Sequence, residues 1–195
     1  MERREFIAGT LLPATAALSG CIENPLSDDT ITAPPEELLL SNDALPGAGW
    51  SEEGVTAGED NTAQIRYFNP QLEEMVIFLV VSEVTVLDDI ETAEQTYHET
   101  LPIEGEEQDG IAIDEVELAD RAVFRNVNGI EQTVRFRERN VIGTVGTLLL
   151  PNEDAFDHEL EEPDDWIGEI NQYELREQHH IDAFEMATLK HNTWP

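Results

Sequence analysis

One cysteine, Cys21, and one lysine, Lys190, are all this chain contains of either residue. With a single thiol no intrachain disulfide can form, so packing and hydrogen bonds have to hold any fold together. Cationic side chains are scarce in general: 10 lysines and arginines face 43 aspartates and glutamates, for a formal net charge of -33. A field of that sign repels nucleic acid and anionic membrane surfaces, which excludes both as partners of the folded domain. The chain also lacks a G-x-S-x-G elbow, a phosphate-cradling glycine loop and a Cys-His pair, which removes the usual acyl-transfer, nucleotide and thiol chemistries. No cofactor is implied by any motif.

What is present begins with "MERREFIAGTLLPATAALSGC". Arg3 and Arg4 make a basic start, and 6–18 is an uncharged, mostly apolar stretch too short to span a bilayer comfortably. Pro13 interrupts it and no helical stripe runs through it, which argues against a core helix. The order of paired arginines, Phe6 two residues on, and Leu18-Ser19-Gly20-Cys21 resembles the signal of twin-arginine-exported lipoproteins. That resemblance implies cleavage before Cys21 and a diacylglycerol anchor on its thiol, with the mature chain held at the outer face of the cell membrane. Loss of 1–20 removes Glu2, Arg3, Arg4 and Glu5 together, so the net charge stays at -33.

Disorder does not follow from this acidity, because 40% of residues are hydrophobic and they arrive in periodic blocks. An aliphatic core inside an acidic, lysine-poor exterior resembles the proteins of salt-loving archaea. Like-charge repulsion on such a surface needs dense counterions, which at 1 M salt shrink the Debye length to about 3 Å.

The segment 21–36 is rich in Pro, Asp, Ser and Thr without hydrophobic period and reads as a tether between anchor and domain. A single domain is expected over 37–195. Within it, Leu38 to Leu40 pack before a turn at 46–49, and Trp50 acts as a core plug. Strands are predicted over 63–69 and 74–87, joined as a hairpin through 70–73. Asp88 reads as a helix N-cap with Glu91 three residues on, and Ile90, Ala93, Tyr97 and Leu101 recur at helical spacing up to Pro102. A short strand is expected over 111–118.

Asn128-Gly129 lies between two apolar-rich runs and is the strongest short hairpin signal in the chain. A two-residue turn there pairs Val127 with Ile130, Val123 with Val134 and Arg121 with Phe136, and a reversal at 138–139 pairs Phe136 with Val141. One face then gathers Val123, Val127, Ile130, Val134, Phe136, Val141 and Val145; the other shows Glu131, Thr133, Arg135, Arg137 and Thr144. Phe124 and Ile142 fall on that polar face, with the helix after Asp88 as their cover. Beyond Leu150, helical signals recur around Phe156, Trp166 and Phe184, broken at Pro163.

These elements define an α+β fold: an antiparallel sheet, made of a strand pair and a three-stranded meander, with helices packed on one face. Over 38–150 the pattern is similar to that of small extracytoplasmic lipoprotein domains with no assigned role.

Two function classes follow. Five of the seven arginines beyond residue 20 lie between Arg121 and Arg139, and Arg135, Arg137 and Arg139 are the candidate contacts for an anion or a partner. The plain alternative is that these guanidiniums pair with neighbouring carboxylates. On this reading the chain is a non-enzymatic lipoprotein that binds a protein partner or a solute. The rival is a metal-dependent hydrolase: His158 and Glu162 stand at i, i+4 in "HELEE", with His179 and His180 downstream, although Glu162 occupies the place where a zinc-protease helix has its second histidine.

Overall fold

The computed structural model describes residues 30–70, 76–101, 111–152 and 182–195. The described strands form one seven-stranded antiparallel sheet: β1 (Ser51–Ala57), β2 (Thr62–Asn69), β3 (Val76–Val86), β4 (Ile111–Glu115), β5 (Arg121–Val127), β6 (Glu131–Glu138) and β7 (Val141–Pro151), in the spatial order β1-β2-β3-β7-β6-β5-β4. Among the described residues two α-helices accompany it, α1 (Ile90–Glu99) and α2 (Ala183–His191). The domain is therefore mostly β, and these helices lie on opposite faces of the sheet rather than on one.

Alternation along the two central strands shows how the faces are divided. In β3 every even residue from Val76 to Val86 is buried and every odd one half-buried, the period expected of a strand with one dry face. Carried across the ladders, that dry face collects Ile65, Tyr67, Phe78, Val80, Val84, Val145, Val134 and Phe136. Residues 31–45 and α2 close it, through Ile31, Leu38, Leu40, Leu45, Ala183, Met186 and Ala187. The expected tether, 21–36, therefore gives way to the domain at its far end: Ile31 is 3% exposed and its backbone N–H and carbonyl both bond to the Asn140 side chain. At the other terminus Trp194 donates Nε1–H to the Leu38 carbonyl at 3.0 Å and stacks on Phe136 with centroids 5.1 Å apart.

Lys190 belongs to this face. Its side chain is fully buried between α2 and the sheet, and the amine donates to the carbonyls of Glu83 at 2.8 Å and Thr144 at 3.3 Å beside the rings of Phe136 and Trp194. Burial away from water pushes its pKa down to about 7. Gly143 sits directly under the Phe136 ring, where a Cβ would come within 2.5 Å of the ring edge. The bare backbone at this position is what lets the tip of the ring come so close to the strand.

The hairpin at Asn128-Gly129 forms, with φ of 51° and 74° at its two turn residues and a bond from Ile130 N–H to the Val127 carbonyl. Its register differs from the expected one by a residue. Val127 stands opposite Glu131, Phe124 opposite Val134 and Ala122 opposite Phe136, so Ile130 is an extra, bulged residue. The cause is a tertiary contact: Ile130 is buried, and its carbonyl accepts from Leu149 N–H on β7 instead of serving β5.

The slip moves Phe124 to the dry face and sends Val123 and Val127 to the arginine face, whereas Val134, Phe136, Val141 and Val145 stay together as expected. The second reversal is also displaced, with Arg139 at φ 54° and Glu138 opposite Val141, because Asn140 turns inward to serve Ile31 and the Leu87 carbonyl.

Three further features depart from expectation. The helix N-cap is Asp89, whose carboxylate accepts from Thr92 N–H, rather than Asp88. The strand expected over 111–118 ends at Glu115, before the left-handed Ala119. Strand β1 has no counterpart among the predicted elements: it is an exposed edge, rich in glutamate and bulged at Gly54 with φ 93°, and so has almost no hydrophobic alternation to read. Trp50 is half-buried against the core, its indole N–H bonded to the Pro46 carbonyl.

Candidate functional site: a cleft between α1 and β5

The second face carries the arginines. Helix α1 crosses β6 and β7 there and buries Ala93 and Tyr97, while Ile142 is buried on the same face and outside the main core. Its amphipathic spacing places Tyr97 against the sheet, with the hydroxyl donating to the Arg135 carbonyl at 3.3 Å. Burial raises the Tyr97 pKa, and the guanidiniums of Arg135, Arg121 and Arg137 oppose that rise. Three arginines thus surround one phenol.

Each of the arginines singled out from the sequence has internal partners. Arg135 donates from Nη2 to Thr100 Oγ1 at 2.6 Å and from Nη1 to Thr144 Oγ1 at 3.4 Å, which ties it to the C-terminal turn of α1, where a positive charge is favoured. Desolvation lowers its pKa. Arg137, only 8% exposed, donates from Nη1 to Asp120 Oδ2 at 3.2 Å and to the Arg139 carbonyl at 2.9 Å. Arg139 lies 3.6 Å from Glu138 through Nε, and its backbone N–H donates to Asp120. The Nε atoms of Arg135 and Arg137 are buried without a hydrogen-bond partner among the described residues. Arg125 pairs with Glu131.

Arg121 is different. It makes no hydrogen bond or salt bridge with any described residue. The register sets it directly opposite Arg137, and like charges at facing positions of a ladder are destabilising. The nearby Asp120 carboxylate pairs with Arg137 instead. A cleft of about 210 Å³ opens beside Arg121, lined also by Tyr97, Leu101, Glu115, Val116, Asp120 and Val123. The sequence held a faint trace of this: once β5 and β6 are paired, four of the five clustered arginines alternate onto one face, and only the order of pairing reveals which one is left over.

His158, Glu162, His179 and His180 lie outside the described residues, as do Arg3, Arg4 and Cys21. Among the described residues no group of three or more His, Cys, Asp or Glu side chains converges as metal ligands, and no helix is long and apolar enough to cross a membrane. No protein-family model, curated protein or solved structure matches the chain.

Proposed function

We propose that this chain is a membrane-anchored extracytoplasmic lipoprotein of non-enzymatic type, whose mostly β domain binds a small solute in the cleft between α1 and β5. The observation that carries the binding half is Arg121: a guanidinium without a partner among the described residues, set opposite a second guanidinium, at the wall of an open cleft. Arg121 is exposed, so water satisfies its guanidinium in the unliganded protein, and the anionic group of a ligand can take the place of that water. The anchoring half is supported by Arg3, Arg4 and the Leu18–Cys21 tetrapeptide. On this reading the lipid bilayer holds the protein only through an acylated Cys21, and the acidic surface keeps the domain soluble in concentrated salt.

The experiment is fractionation of cells expressing the native gene and a Cys21→Ser variant. Native protein is expected in the membrane fraction without residues 1–20, and the variant free of the membrane or unprocessed. Native protein recovered soluble with residues 1–20 still attached overturns the anchor.

A further inference from the structure

We propose that the cleft between α1 and β5 is a site for a small zwitterion, one that carries a carboxylate and a cationic nitrogen on a compact frame of amino-acid size. This deepens the solute-binding reading above and rests on it.

Three charged side chains line the cleft, Arg121, Glu115 and Asp120, and the Asp120 carboxylate is already paired with Arg137. Glu115 ends β4 and stands opposite Val123; Arg121 lies two residues from Val123 along β5, on the same face. Diagonal neighbours of this kind are about 7–8 Å apart at Cα, well within reach for two long side chains of opposite sign. They do not pair, and neither makes a hydrogen bond or salt bridge with any described residue. Both line the cleft. Both side chains are exposed at the cleft and unpaired with each other, and a guanidinium fork beside a carboxylate complements a ligand with the reverse arrangement, its carboxylate on Arg121 and its cationic nitrogen on Glu115.

Size and field narrow the class. At ~30 Å³ per water, the 210 Å³ of the cleft corresponds to roughly seven waters, room for about as many non-hydrogen atoms. The net charge of -33 opposes the approach of any ligand with net negative charge, whereas a zwitterion of zero net charge meets no such barrier. A simple cation finds carboxylates everywhere on this surface and has no use for Arg121. Leu101 and Val123 supply apolar contact to the ligand's carbon frame.

The test is titration calorimetry on the full chain, at the lowest salt that keeps it folded, with glycine, acetate and methylammonium as probes. Glycine is expected to bind saturably at one site, and acetate and methylammonium at least about 10-fold more weakly, since each makes only one of the two charge-assisted contacts. Arg121→Gln and Glu115→Gln should each weaken glycine binding by about 10-fold or more with an unchanged melting temperature. Acetate bound as tightly as glycine, with Glu115→Gln silent, overturns the zwitterion and leaves a solute-binding cleft. Glycine binding indifferent to both substitutions places it elsewhere and overturns the site. No binding of any probe overturns the site and the solute reading together, while membrane fractionation of Cys21→Ser still judges the anchor by itself.

Discussion

The two faces of the sheet handle charge in opposite ways. One is closed by the 31–45 segment, α2 and Trp194, and its described core holds one lysine, Lys190, whose amine gives its hydrogens to two carbonyls. The other is crossed by α1 and carries arginine after arginine, each steered by a carboxylate, a hydroxyl or a carbonyl of a described residue except Arg121. The dry face is held by aliphatic volume and tolerates a charge only when it is hidden and its proton loosely held. The arginine face is held by pairing, and its leftover charge is where recognition can start. Stability and recognition thus occupy different sides of the same strands.

The largest expected effect tests whether the faces are assigned correctly. Val134 is fully buried on the dry face, and Val134→Asp should unfold the domain, a loss above about 4 kcal/mol, because a carboxylate there has neither water nor partner. Thr133→Asp, one residue away on the arginine face beside Arg125, should change stability by less than about 0.5 kcal/mol. Urea denaturation of the two variants reads the difference, and equal damage from both erases the distinction between faces.

Next comes the hidden amine. The pKa of Lys190 is about 7 in the fold against an ordinary lysine value of 10.5, so between those values the unfolded state binds a proton that the folded state does not. Stability should therefore climb with pH above 7, by on the order of 4 kcal/mol up to pH 10, and the contribution is lost as pH falls through 7. Tyr67, raised to about 12 by burial, acts in the opposite sense once pH exceeds 10, which bounds the useful window. Urea midpoints of wild type and Lys190→Met over pH 7–10 isolate the effect, since the methionine variant should lack the slope.

A smaller effect probes the contact under Phe136. Gly143→Ala forces a methyl against the ring and should cost about 1–3 kcal/mol, visible as a lower melting temperature. The smallest sharpens the comparison from the other side: Arg121→Gln should leave stability within about 0.5 kcal/mol, because no bond to a described residue is broken.

Much of the dry face was legible in the sequence. The β-branched run of β3, the Asn128-Gly129 turn and the reversal that follows β6 marked β3, β5, β6 and β7, and the spacing of Ala93 and Tyr97 marked α1 with the face it covers. What stayed hidden had physical causes. A bulge at Ile130 depends on a hydrogen bond to β7, which no local pattern encodes, and it alone shifted Val123, Val127 and Phe124 between faces. Lys190 is long, charged and of a type ordinarily found at the surface, so nothing in its neighbours announces that its amine ends inside. The site was half visible: the arginine cluster stood out, but Arg135, Arg137 and Arg139 turn out to be engaged, and the open one is identified only by the pairing of β5 with β6.

The stack on Phe136 carries a consequence for the order of events during synthesis. Its covering rings come from His191 and Trp194, and Trp194 in turn bonds to Leu38, which was made 156 positions earlier. A nascent chain that has already emitted the seven described strands and the 31–45 segment still lacks α2 and Trp194, so the part of the aliphatic face around Phe136 that they cover is not yet closed by them. The contact joins two segments of the described domain that lie far apart in sequence, and contacts of such long separation form slowly. An interval in which a largely assembled sheet remains partly uncovered is when a holding chaperone, or the solubility conferred by a strongly negative surface, matters most.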